Sequence, residues 1–426
     1  MGAQEVDMGV GETPQLVIAS VLRQNGTTGV HTHLRELQAF LNEANIASTT
    51  VTPFSWNRVL STPVFGVRLA LERFSGSASV AWYRYFHESF LRRALHKRLR
   101  SLDQAVIYAQ GPVEARAALL ARKGRQQRVI MAIHFQTSQA DEWARKGVIR
   151  VNGMVYRSIR EFERNVIPMI DGIVFVSHGA RLDLLSWLPE ADAVPSAVIP
   201  NFLGPGSTHP EGEIRDLVSV GSLEIAKNHR FLLHVLHEAR LMGSLLTLDL
   251  FGEGRCRRDL ERLASSLDLT QQVRFHGFRP DVRRLLPAYR VYVHASYSEA
   301  LPYAILEAMA AGLPIIAGRA GVSPELFQDG VQGRLWPLDD PQQAATVLLK
   351  FLSDKPRLAA AGAASLVRYK TCFQSEVVGP ELYSFLTKPI AQSPRPSMGS
   401  LPMGMNSQKS ETFYPVHQLE AHTATE

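Results

Sequence analysis

Apolar positions along this chain fall into two alternating patterns. The first apolar run, Gln15 to Val21, leads through a Gly/Thr/Asn loop, Asn25 to Gly29, into Leu34, Leu37 and Leu41, whose spacing lines one face of a helix. Further short runs rich in Val or Ile occupy Gln104 to Tyr108, Val129 to Ile133 and Gly172 to Val176; continuous apolar character over so few residues is that of a strand buried on both faces. Gly204 to Gly212, reading GPGSTHPEG, stops any regular element. A second series follows, with strands predicted at Leu217 to Val220, Leu246 to Phe251, Val273 to Phe275, Val291 to His294 and Pro314 to Ala317, and helices between them. Strand–helix alternation of this kind predicts parallel sheets joined by helical crossovers. The expected organisation is an N-terminal α/β unit over 1–203, a hinge at 204–212, a second α/β unit over 213–370, a helix over 371–386 packing back on the first unit, and a disordered tail over 387–426. That tail is rich in Ser, Pro, Met, Gln and Thr and has little to bury.

A length of 426 residues agrees with two or three domains, and 45% hydrophobic with 20% charged residues is ordinary globular composition. The net charge of +6 permits an acidic substrate, an anionic membrane or nucleic acid and selects none of them. Two separated cysteines, Cys256 and Cys372, make neither a disulfide framework nor a metal cluster, and they fit a reducing compartment. Residues 1–11 carry Glu5 and Asp7 and lack the apolar core of a signal peptide, while Val6 stands where a myristoylation motif needs Ser or Thr. The most apolar stretch, Leu301 to Ala317, is broken by Glu307. The expected location is cytoplasmic, with or without peripheral contact to the inner face of the membrane.

The segment with most chemistry is Glu299-Ala-Leu-Pro-Tyr-Ala-Ile-Leu-Glu307. Glu299 follows a strand by a short polar loop, which places it at the carboxyl end of a parallel sheet, where open α/β folds bind ligands. Pro302 suits the first turn of a helix, and the N–H groups around Ala300 to Tyr303 are there for a phosphate. Glu307 lies more than a turn further on, so the two acids can meet different parts of one extended ligand. A plainer reading makes them a helix-dipole acid and a surface acid. Lys227, after the glycine turn at Gly221, is a candidate phosphate ligand or a solvated lysine at a helix start.

This segment, continued by Ala308-Met309-Ala310-Ala311-Gly312-Leu313-Pro314, resembles the signature of the retaining glycosyltransferases of family 4, which have the GT-B fold: two Rossmann-like domains whose parallel sheets face a central cleft. The resemblance extends through Val218 to Leu223 with Lys227-Asn228, through Phe251-Gly252-Glu253-Gly254, through Val273 to Phe278 around Gly277, and through Val322 to Leu335. In the N-terminal half it is looser, carried by Thr28 to His33, Ile133-His134, Asp171 to Ser177 and Val198 to Asn201. It implies that Glu299 contacts the donor sugar and Glu307 the ribose hydroxyls, and that Lys227 grips the diphosphate. It also implies donor contacts for Gly29, Gly221, Ser222, Gly254, Gly277, Phe278, Ala300, Leu301 and Pro302, and a cleft histidine at His134 near the sugar. Taken by themselves, His134 reads equally as a structural histidine, Gly29 as a plain turn and Ser177 as a helix cap. Four positions depart from the family pattern: Ser222 replaces an arginine, and Thr28, Ala300 and Phe202 replace glycines.

The implied activity is transfer of a sugar from a UDP- or GDP-sugar to a hydroxyl of a polysaccharide, glycolipid or small molecule. No metal and no cofactor is expected, since no Asp-x-Asp motif stands at a strand end and a lysine with helix dipoles does that work in the family. A non-catalytic scaffold of the same fold and a nucleotide-sugar epimerase remain as alternatives. The stretch Arg68 to Arg100 interleaves eight Arg or Lys side chains with Trp82, Tyr83, Tyr85, Phe86 and Phe90. It reads either as a membrane-surface helix or as a helix with aromatics in the core and arginines in solvent. A nucleic-acid partner is not expected, because no recognised nucleic-acid module accompanies the charge.

Overall fold

The computed structural model describes residues 14–23, 26, 28–210, 212–318 and 323–389. The first residues, read above as no signal peptide, and the tail from 390 lie outside the described residues, as do parts of the Asn25 to Gly29 loop, of the hinge and of the turn beginning at Val322. Two six-stranded sheets form the body. The first contains β1 (Gln15–Ala19), β2 (Ser48–Val51), β3 (Ala105–Ala109), β4 (Gln127–Ile133), β5 (Gly172–Phe175) and β6 (Ser196–Val198) in the order β2-β1-β3-β4-β5-β6. The second contains β7 (Arg215–Val220), β8 (Leu248–Phe251), β9 (Val273–Gly277), β10 (Tyr289–His294), β11 (Ile315–Gly318) and β12 (Gly333–Trp336) in the order β12-β11-β10-β7-β8-β9. All pairings are parallel. Each connection must therefore cross back over a sheet face, as the helices between strands do. The result is the GT-B architecture, two Rossmann-like units.

Strand alternation builds the N-terminal core on both faces of its sheet. Val17, Ala19, Ile107, Val129, Met131 and Phe175 pack with Leu91, Leu95 and Leu99 of helix Gly76–Leu99 on one side. Leu16, Ile18, Val106, Tyr108 and Ile130 pack on the other side with Leu37 and Leu41 of helix Gly29–Glu43. Val378, Leu382 and Leu386 of the terminal helix Ser375–Thr387 join this second face. Gly379 is what lets that helix approach: a Cβ there would sit 2.5 Å from the Phe40 ring. The chain thus crosses between the units twice, and the two crossings touch, since Leu203 N–H donates to Phe373 O and Ser375 N–H to Leu203 O. The start of the Gly/Pro linker is held in place. Gly204 N–H donates to Glu36 at 2.7 Å, and its carbonyl accepts from Arg283 and from Tyr369, each at 2.7 Å.

In each sheet the strand order reverses at one point, between β1 and β3 and between β7 and β10. Open α/β sheets bind ligands in the crevice at the carboxyl ends of the strands flanking such a point. The loops after Val220 and His294 are therefore the place to look in the second unit, and those after Ala19 and Ala109 in the first.

The basic aromatic stretch forms a hairpin of helices, Arg58–Phe74 and Gly76–Leu99. Its aromatics largely face inward. Trp82 Nε1 donates to Val64 O at 2.8 Å, and the rings of Phe54, Phe65, His87 and Phe90 pack together. Several arginines lie over rings, Arg68 at 4.6 Å from the Tyr83 centroid and Arg84 at 4.4 Å from that of Phe162. Tyr85 is exposed. Among the described residues no helix is long and apolar enough to cross a membrane.

Candidate active site

At the switch point of the second sheet, Lys227 and Glu299 meet. Lys227 ends a short 3₁₀ turn, Ile225–Lys227, reached through the Gly221 loop after β7; Glu299 ends the loop after β10. Their side chains form an ion pair at 2.7 Å. The two loops are tied together beneath it: Tyr297 N–H and the Ser296 hydroxyl both donate to Ala226 O, at 3.1 and 3.0 Å. Asn228, left-handed at φ 52°, then turns the chain into helix His229–Leu241. The other Glu299 oxygen lies 2.9 Å from His294 Nε2. Burial would raise the Glu299 carboxyl pKa, but the Lys227 ammonium and then His294 overcome it and hold it well below the usual range. Glu299 is therefore an anion with a fixed direction.

His294 and His229 were not singled out from sequence. His294 is the last residue of β10, and strand-end position is the only signal it carries. His229 is buried and pushed to about 3 by burial and then by Lys227, so it stays neutral beside the lysine.

The glycines implied as donor contacts form the adjoining wall. Loops after β7, β8 and β9 are stitched by Gly221 N–H to Phe251 O, Gly252 N–H to Gly277 O and Leu223 N–H to Glu253 O. Gly252 has φ 141°, and a Cβ on it would lie 1.9 Å from Gly221 O; a Cβ on Gly254 would lie 2.3 Å from Leu223 O. Only glycine permits this contact of three backbones. Ser222 sits in this turn, and Phe278 follows Gly277 with its side chain half exposed.

Ala300 and Leu301 are buried, and Leu301 O accepts from Asn201 of the first unit at 3.0 Å. Helix Tyr303–Ala310 begins after Pro302, which stands at the cap with no side-chain hydrogen bond. Pro302 has no N–H, so it shapes the turn, and any phosphate contact at this helix start falls to the neighbouring N–H groups. Glu307, on this helix, has its carboxyl pushed up to about 7 by burial, with Arg283 opposing and Glu36 of the first unit adding to the rise. Near neutral pH it is poised to accept or to donate a hydrogen bond.

The first unit supplies the facing wall. Gly29 opens its helix with the Tyr303 ring 3.7 Å from where a Cβ would be. Tyr303 OH reaches His33 Nδ1 at 3.2 Å. His134 lies 3.0 Å from Gln110 through Nε2, and its ring centroid is 4.7 Å from that of His33. Burial lowers the His134 pKa to about 4, so it is neutral at pH 7. The structure thus places His134 on the N-terminal wall and Lys227 with Glu299 on the other. Arg145 reaches across from the first unit to the Ser298 hydroxyl, next to Glu299. Ser177 caps helix His178–Trp187, accepting from Ala180 N–H at 3.1 Å.

Two parallel-sheet domains meeting at paired switch points define a GT-B glycosyltransferase framework. The family models agree: Glycosyltransferase Family 4 matches residues 27–204 and Glycosyl transferases group 1 matches residues 207–366. The chain belongs to this group 1, family 4 class of glycosyltransferases. It is similar to the lipopolysaccharide core biosynthesis glycosyltransferase LpsE of Rhizobium meliloti, 31% identical over 196 residues that are 44% of this chain and 56% of that protein. It is also similar to the amylovoran biosynthesis glycosyltransferase AmsK of Erwinia amylovora, 24% identical over 180 residues, 40% of this chain and 44% of that one. The chain spans about half the length of the curated relatives it matches. Among solved structures, sucrose-phosphate synthase from Thermosynechococcus elongatus superposes with a TM-score of 0.67 at 15% identity, covering 87% of this chain and 98% of that one. Anabaena HepE in complex with UDP and glucose does so with a TM-score of 0.65 at 17% identity, covering 88% and 99%. At these identities the likeness is one of fold.

Proposed function

We propose that this protein is a retaining glycosyltransferase that moves a hexose from a nucleoside diphosphate sugar, a UDP-sugar ahead of a GDP-sugar, onto a hydroxyl of a growing polysaccharide or glycolipid. The observation that carries this reading is the Lys227–Glu299 ion pair at the switch point of the second sheet, walled by three glycine turns. An ammonium there meets the charge that develops on a departing diphosphate, and a carboxylate fixed by two partners is available to sugar hydroxyls. The half-buried Glu307 carboxyl takes the ribose hydroxyls. UDP is preferred because HepE holds UDP with glucose, and the saccharide acceptor because LpsE and AmsK act in lipopolysaccharide core and amylovoran biosynthesis.

In the proposed reaction the acceptor hydroxyl forms its bond to the anomeric carbon on the face the diphosphate vacates. The bond from that carbon to the diphosphate oxygen breaks, and the leaving diphosphate takes the hydroxyl proton. Lys227 stabilises the diphosphate without a metal ion, while His134 and Gly29 line the acceptor side. Closure of the units excludes water that would otherwise hydrolyse the donor. The enzyme works in the cytoplasm, with the basic hairpin at Arg68 to Arg100 as its contact to the inner membrane face.

The test is a thermal-shift screen of UDP- and GDP-sugars, followed by a transfer assay with the stabilising donor and saccharide acceptors, with EDTA present and absent. Stabilisation by one donor and EDTA-resistant product with retained anomeric configuration support the proposal. A protein indifferent to every donor would leave the scaffold reading, and a changed sugar without any acceptor would establish epimerisation.

A further inference from the structure

The last three turns of helix Gly76–Leu99 carry Arg92, Arg93, His96 and Lys97, with Arg100 just beyond, and all five line one concavity of about 400 Å³ on the outer side of the first unit. All five are solvent-exposed. Trp56, carried in by the segment after β2, and Leu120 form the remaining wall, and the Arg93 guanidinium lies 5.3 Å from the Trp56 ring centroid. No carboxylate lines this groove among the described residues. Glu88, one turn before Arg92, pairs with Arg116 at 3.3 Å and also lies within reach of Arg92, while Asp103, three residues after Arg100, does not line the groove.

A helix C-terminus attracts cations through its dipole, which accounts for His96 and Lys97 but fades within a turn. It leaves Arg92 and Arg93 unexplained. Arg98, also in the last turn, faces elsewhere, bonding Gln15 and Thr49 at 2.9 and 3.2 Å. Like charges spaced four apart, as in Arg93/Lys97, repel one another. A bound polyanion reverses the sign of that interaction. Arginine forks match phosphate oxygens, and a phosphate monoester or diphosphate carries enough charge to balance several cations at once. The volume of about 400 Å³ matches a headgroup-sized ligand.

We infer that this groove is a second anion site, distinct from the donor site, which binds a phosphate group borne by a soluble phosphorylated molecule or by a lipid headgroup. None of its lining residues belongs to the cleft, so the inference stands independently of the proposed sugar transfer, while its headgroup branch rests on and deepens the membrane contact proposed for this hairpin.

The experiment uses the full chain carrying Lys227→Ala, which removes the donor-site ammonium from the comparison. Inorganic pyrophosphate is titrated calorimetrically, and flotation is measured with phosphatidylglycerol vesicles and with phosphatidylcholine vesicles. Both are repeated after adding Arg92→Ala, Lys97→Ala and Arg100→Ala, and with the single reversal Lys97→Glu as a milder variant. All of these positions are exposed, and thermal melts check that each variant folds. The expected result is binding of pyrophosphate, or of the anionic vesicles over the neutral ones, that weakens about tenfold or more in the groove variants and with rising salt. Pyrophosphate binding identifies a soluble ligand; vesicle binding without it identifies a headgroup. Failure of both anionic probes to bind, or binding unchanged by the groove substitutions, overturns the inference.

Discussion

Glu299→Gln separates binding from chemistry. The substitution keeps the size of the side chain and removes its charge. A glutamine has one acceptor oxygen, so it can accept from Lys227 or from His294 but not from both, where Glu299 now lies 2.7 Å from one and 2.9 Å from the other. A charge-assisted hydrogen bond contributes about 1.5–3 kcal/mol, and breaking a fully buried pair costs about 3–5 kcal/mol. Here the side chains are 26% and 17% exposed. Solvent therefore screens part of that cost, and the expected loss of folding stability is about 1–2 kcal/mol. The kinetic effect is larger, because a preorganised group at the reacting centre is worth about 100-fold to 1,000-fold in kcat. Lys227 meanwhile loses its competitor and is free for the diphosphate, so KM for the donor should stay constant or fall. The assay is steady-state transfer with donor varied, alongside a thermal melt. A kcat within about threefold of wild type, or an unchanged kcat with a raised donor KM, would refute the assignment of Glu299 to the transition state.

Three further outcomes follow from the geometry. His294→Ala should lower kcat about tenfold with little change in donor KM, and His294→Gln, whose amide can donate to Glu299, should restore much of it; equal loss in both variants would make His294 merely structural. Glu163 is fully buried, accepts from Gln139 N–H at 2.8 Å, and has its pKa pushed up to about 8 by burial, with that hydrogen bond and then Arg84 opposing. Because its folded pKa lies above its unfolded value, wild-type stability should decline as pH rises from about 4.5 to 8, and Glu163→Gln should melt higher than wild type at pH 8 with the gap closing toward pH 5. A constant difference across that range would contradict it. Glu325 of the second unit accepts from His178 and Gly179 N–H of the first at 2.8 and 2.6 Å. Glu325→Ala should therefore favour an opened cleft, read as a larger radius of gyration in solution scattering and a raised donor KM, and identical scattering curves would contradict it.

The interior of both sheets was legible because a strand buried on two faces must be apolar throughout. The strands missed, β2, β6 and β12, all lie at sheet edges. Ser48–Val51 is mostly polar, Ser196–Val198 has three residues, and Gly333–Trp336 begins with a glycine whose absent Cβ would meet Ile315 O at 1.7 Å. Edge position relaxes the demand for apolar residues, and no local pattern survives to mark them. The candidate site was legible in position where a motif marked it, since the structure brings Glu299 and Lys227 together. It was not legible where function depends on what another loop brings near. His294 gains meaning only from the fold of Glu299 back toward its own strand end. Arg145 becomes relevant only through Ser298, 153 residues away in the chain.

The central claim is that Lys227 receives a nucleotide diphosphate. Calorimetric titration of UDP and of GDP into the wild-type protein and into Lys227→Ala tests it most directly. The account predicts that one of the two nucleotides binds the wild-type protein and that its affinity falls about tenfold or more when the ammonium is removed. Equal affinity of both proteins for that nucleotide, or no binding of either nucleotide to the wild-type protein, would contradict it.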